Sequence, residues 1–256
     1  MPEHAPSAEQ SPDHAFPPAG IDAFLSHFIV AIKITSGERS GALVTFSLPA
    51  AVQTVARSKP FVLSAGASSR VTFPIPRGCT LPESIEHKDF FSSPPGFFEK
   101  GREQIWLQIL NLDARGETPV GPVRVILGET FKREYPDLFE PSFGAAQSIG
   151  RTGLPARLFF SPNGVFETPI GALKTQAAKT LLGDSVDRIP PVGSAPRLLQ
   201  PCPLYHVDAL RAAAKGKTPE PAAIIVALAH PIDAELIDPQ GSHEAFASIE
   251  RSIASS

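Results

Sequence analysis

The sequence predicts an α+β chain that is mostly β. An N-terminal antiparallel β-sandwich of immunoglobulin-like or jelly-roll type is followed by a proline-rich, partly helical C-terminal region. Three observations lead there. From His27 to Leu127 apolar residues alternate with others in run after run, the period of strands with one face on a core. Gly, Ser and Pro mark the breaks between those runs. The 28 prolines are roughly twice the usual share of about 5%, and an interior proline costs a helix about 3 kcal/mol.

The first alternating run places Phe28, Val30, Ile32 and Ile34 on one face of an extended segment. The loop Ser36 to Gly41 reverses the chain into a second run with Ala42, Val44, Phe46 and Leu48 inward, so a hairpin is expected. Ala50 to Ser58 reads as one short helix behind Pro49. A second hairpin is expected between Phe61–Ser64 and Arg70–Pro76, with Pro74 and Pro76 confining the latter to an edge. A third joins Gln104–Leu112 to Val120–Leu127, with Trp106, the single tryptophan, as a core anchor. Three hairpins in about a hundred residues are the case for the sandwich.

Beyond Gly128 prolines interrupt every longer pattern. Leu173 to Leu182 reads as a helix with Leu173, Ala177 and Leu181 on one stripe and Gly183 at its end. Val207 to Lys215 is a second, and Ser242 opens a third carrying Phe246, Ile249 and Ile253. Ala222 to Ala229 is a buried-strand candidate. The expected organisation is a disordered acidic tail over 1–20, the sandwich over 21–136, and a loop-rich α/β region over 137–256, packed on the sandwich or separate from it.

Composition narrows function by exclusion. The tail holds Glu3, Glu9 and Asp13 without Lys or Arg, its charge equals the formal net charge of −3, and the rest is near neutral. A neutral body offers no footprint for nucleic acid. Neither a secretory leader nor a membrane-spanning run is expected, since the first twenty residues lack a basic and apolar pattern and Ala222 to Ala229 is far short of the roughly 18 apolar residues a span needs. Cys79 and Cys202 are not a disulfide framework, so a cytoplasmic setting with reduced thiols is expected.

No phosphate loop, dinucleotide fingerprint, nucleophile elbow or zincin motif occurs, and no cofactor is predicted. Scattered histidines remain. His87 with Asp89, and His206 with Asp208, place an imidazole and a carboxylate two residues apart; Cys202 with His206 offers two soft ligands without an identifiable third. His87, Asp89, Cys202 and His206 are therefore the metal candidates. His230, at the end of the apolar run with Asp233 behind it, joins His206 and Asp208 as a catalytic candidate.

A second pattern is a repeated pair of aromatic clusters around Pro and Gly. Phe90, Phe91, Phe97 and Phe98 echo Phe159, Phe160 and Phe166, and adjacent Phe residues on a strand point to opposite faces. Read as Phe-tipped loops, they form an apolar contact patch. The leading expectation is thus a soluble, non-enzymatic protein acting through protein–protein contact, as an adaptor or by self-association into an oligomer. The alternatives are a hydrolase or metal-dependent enzyme with a His/Asp site in the C-terminal region, and a small-molecule carrier on a β-core, since pockets leave no linear trace.

Overall fold

The computed structural model describes residues 14–62, 70–86, 94–119, 121–177 and 179–236. Strands dominate, as expected, and almost all of them join one antiparallel sheet. β1 (Gly20–Ile34) and β2 (Leu43–Arg57) form the first hairpin, with Phe24, Phe28, Val30 and Ile32 buried. Ala50 to Arg57 is strand, not helix: this half of β2 hydrogen-bonds to β1 on one edge and to a later strand on the other, and two ladders outweigh a weak local helix signal.

The second expected hairpin is rewired. β3 (Phe61–Val62) pairs with β6 (Glu103–Thr118), whereas β4 (Arg70–Thr72) pairs with β5 (Ser84–Glu86) in a small separate sheet. β6 and β7 (Gly121–Leu127) make the third hairpin, with β6 running past the expected end at Leu112 to Thr118, where it is still paired with β7. There follow α1 (Gly128–Glu134), β8 (Phe143–Ser148), β9 (Ala156–Ser161), β10 (Gly164–Thr168), β11 (Gly171–Thr175), β12 (Leu181–Val186), β13 (Arg197–Leu198), β14 (Cys202–His206), α2 (Val207–Ala213), β15 (Ala223–Ala229) and β16 (Ile232–Glu235).

In place of a sandwich completed within residues 21–136, the sheet closes on itself. Pairing runs β1–β2–β6–β7–β10–β11–β14–β15, and β15 pairs again with β1 from Ile29 to Ile34. A second circuit leaves β6 through β8, β9, β12 and β13 and rejoins β15 at Ala229. The result is a barrel whose continuous wall is β15–β1–β2–β6 and whose opposite wall is split into two tiers. Closure removes the sheet edges that an open sandwich would have to protect.

The split begins on β6. Gln104–Gln108 pair with β8, Leu112–Thr118 pair with β7, and Asn111 bridges to Gly128 between them. Gly128 has φ of 66°, and a Cβ there would lie 2.1 Å from the Leu110 carbonyl oxygen. Only glycine lets the chain turn off β7 into α1 so close to β6.

β6 is covered on both faces. Ile105, Leu107 and Ile109 enter the barrel core, while Trp106 and Leu110 lie outside it, beneath Val71, Phe73, Leu81 and Phe97 of the segments around β4 and β5. α1 packs Phe131 on Ile126, Val165 and Val207 over the first tier. α2 forms where expected. The helix expected over Leu173–Leu182 does not: Leu173 and Leu181 belong to β11 and β12, and both are buried in the barrel, so their spacing reflects two strands entering one core. The segment opening at Ser242 lies outside the described residues.

Candidate functional site

Where the two tiers diverge, the barrel interior is incompletely filled. A cavity of about 50 Å3 lies there. Phe28 and Ile225 reach it from the continuous wall, Val125, Leu127 and Phe166 from the first tier, and Leu181 and Leu198 from the second. Strand alternation explains the apolar lining, since these are the inward positions of their strands. Gly164 matters for the opposite reason, because a Cβ there would meet the Ile126 carbonyl oxygen at 2.3 Å, so β10 lies close to β7 only without a side chain.

Three lining side chains carry polar atoms. Cys202, on β14, is a free, fully buried thiol whose acidity burial suppresses, pushing it up to about 11 against the pull of nearby Lys179. It is therefore neutral at ordinary pH, which suits an apolar wall better than a metal ligand. Thr175, the last residue of β11, is buried, and its Oγ1 has no hydrogen-bond partner among the described residues. Lys179 follows in the link to β12 and is half-buried, and no carboxylate among the described residues pairs with it. Neither Thr175 nor Lys179 stood out in the sequence, because the stretch read as a helix and neither belongs to a motif.

Behind the Phe28 wall stands His230. It is 4% exposed, and burial, with the neighbouring His27, lowers it to about 4, so it is neutral. Asp233 is engaged elsewhere, hydrogen-bonded to His27 Nδ1 at 2.7 Å. His206 and Asp208 sit at the start of α2, where Asp208 is exposed and pairs with Arg211 at 3.1 Å. Leu204 pairs with Ala223 at one end of β15 and His230 follows its other end, so the two His/Asp sets are on the order of 20 Å apart. The structure does not bring His206, Asp208, His230 and Asp233 into one site.

Cys202 and His206 likewise meet no third ligand, and no group of three His, Cys, Asp or Glu among the described residues is placed to hold a metal. His87, Asp89, Phe90 and Phe91 lie outside the described residues. Phe97, Phe159, Phe160 and Phe166 are all buried, and Phe98 packs on Phe159 and Trp106 with ring centroids 5.9 and 6.0 Å apart. The expected Phe-tipped contact patch is therefore core in its described part. Phe159 and Phe160 are successive residues of β9 and point to opposite faces, so Phe159 fills the outer cluster while Phe160, with Phe166 of β10, fills the barrel.

No family model matches the chain, and no curated protein matches it. A solved structure does. DynF from the dynemicin biosynthesis pathway of Micromonospora chersina superposes with a TM-score of 0.56, at 16% identity, over 89% of this chain and 85% of that one. The likeness is one of fold. With Phe97, Phe159, Phe160 and Phe166 in the core and the fold shared with a biosynthesis-pathway protein, the expectation of an adaptor or assembly protein is overturned. No helix among the described residues is long and apolar enough to cross a membrane.

Proposed function

We propose that this protein binds an apolar small molecule inside its barrel. The observation that carries the reading is the cavity at the divergence of the two tiers, enclosed by aliphatic and aromatic side chains and carrying few polar groups. Concave, mostly apolar sites with a small number of placed polar atoms are the usual form of ligand pockets, and the interior of a closed β-barrel is a usual place for them. A water-sized sphere needs about 10–15 Å3, so the space admits the tip of an alkyl chain or one edge of a larger molecule. The fold likeness to DynF suggests a setting beside biosynthetic enzymes, where an apolar intermediate is held out of water.

The test is a thermal-melt titration with 1-octanol. Binding to the folded state alone raises Tm, and the rise grows with the logarithm of ligand concentration above Kd. A concentration-dependent rise is expected in the wild type, and Cys202→Phe, which fills the cavity, should abolish it. A wild-type Tm that does not respond up to the solubility limit of octanol overturns the reading.

A further inference from the structure

We propose that the ligand carries a carboxylate, received by the Lys179 ammonium and the Thr175 hydroxyl. The inference rests on the apolar-ligand reading and adds a head group to it. Thr175 lines the cavity, and its Oγ1 is buried and lacks a hydrogen-bond partner among the described residues. An orphaned hydroxyl inside a protein carries the full cost of its lost water, and a ligand oxygen beside it recovers that hydrogen bond. Lys179 supplies a positive charge on the same lining, uncompensated by any carboxylate among the described residues. Its field reaches the wall, since it acts on the Cys202 thiol.

The number and type of donors select the head group. One ammonium and one hydroxyl match the single charge and two acceptor oxygens of a carboxylate. A phosphate monoester would bring a second negative charge into an apolar enclosure with no second cation among the described lining residues to meet it, at a large desolvation cost. A cationic head would face Lys179 directly. Cys202 is neutral and adds no charge of either sign.

The experiment compares octanoate with 1-octanol by isothermal titration calorimetry at pH 7.5 on the full chain. Octanoate is expected to bind the wild type at least tenfold more tightly than octanol. Lys179→Met should remove the preference, bringing octanoate and octanol to within about twofold of each other in that variant, and Lys179→Gln repeats the comparison should the methionine variant fold poorly. Thr175→Val, which keeps the shape and removes the hydroxyl, should weaken octanoate severalfold. Equal binding of octanoate and octanol to the wild type overturns the head-group inference and leaves the apolar-ligand reading standing. A preference for octanoate that survives both Lys179 variants also overturns it. Binding of neither probe to the wild type overturns the apolar-ligand reading itself.

Discussion

The imidazole of His230 lies parallel to the ring of Phe28, with centroids 4.4 Å apart and 6° between the planes. Phe28 is a wall of the cavity, so the stack forms the backing of the site. Protonating His230 would put a charge against an aromatic face inside the barrel, with His27 nearby and its Nε2 without a partner among the described residues. Because the folded protein holds His230 near 4 and an unfolded histidine titrates near 6.5, the unfolded state takes up the proton first as pH falls. Stability therefore drops between about pH 6.5 and 4, by about 3 kcal/mol in total. Urea unfolding at pH 7, 5.5 and 4 should show the wild type losing about that much more than His230→Phe, which keeps the stack and cannot titrate. Parallel losses in the two proteins would contradict this account.

Phe97 was legible as an aromatic beside a turn, and its place in the structure reverses what its removal should do. Its ring meets Phe159 at 4.5 Å and lies beneath the Arg157 guanidinium, which also donates to the Phe97 carbonyl. Phe97→Ala should cost about 3–5 kcal/mol, as expected for emptying a packed aromatic site. Equilibrium denaturation measures it, and a loss under about 1 kcal/mol would mean that the outer cluster is not a packed core.

Arg124 gathers three carboxylates on the outer face of the first tier. It donates to both oxygens of Asp113 at 2.8 Å, to both of Glu134 at 2.8 and 2.9 Å, and to Glu167 at 3.2 Å. Burial alone would raise Asp113, but hydrogen bonds from Arg124 and Arg115 outweigh it and hold the carboxyl down to about 2. Arg124→Met leaves the three acids facing one another and should destabilise by about 2 kcal/mol at pH 7. Arg124→Lys should recover little, since a point ammonium lacks the planar fork. The Asp113 contribution is present above the ordinary Asp value near 3.9 and fades as pH falls toward 2. Chemical denaturation of both variants at pH 7 and 3 checks the direction; a lysine variant as stable as the wild type would remove the case for fork geometry.

What the sequence revealed was local. Alternation marked β1, the start of β2, β6 and β7, because each carries its period-two pattern within a single segment, and a continuous apolar run marked β15. It misread β11 and β12, where Leu173 and Leu181 share a core through two strands that do not pair with each other. It was also silent on closure, since nothing near Ile29 announces that it pairs with Ala229 two hundred residues later. The cavity was illegible for the same reason. Its polar atoms, Thr175 and Lys179, acquire meaning only from Phe28, Phe166 and Ile225, which other strands bring to them.

The fork itself is testable at one residue. Gly128 sits with positive φ against the Leu110 carbonyl, at the point where β6 exchanges one neighbour for another. A methyl group there forces either the backbone of β6 outward or the entry to α1 apart, and both carry buried neighbours: Leu112 on one side and Phe131 on the other. Gly128→Ala should therefore cost several kcal/mol, well beyond the roughly 1 kcal/mol of an ordinary left-handed glycine. Gly37, in the exposed loop between β1 and β2, has φ of 75° and open space around it, so Gly37→Ala supplies the control with conformational strain alone. Thermal melts of the two variants should separate clearly, with Gly128→Ala far lower. Equal shifts would show that the close approach to Leu110 relaxes without cost and that the divergence of the tiers does not depend on it.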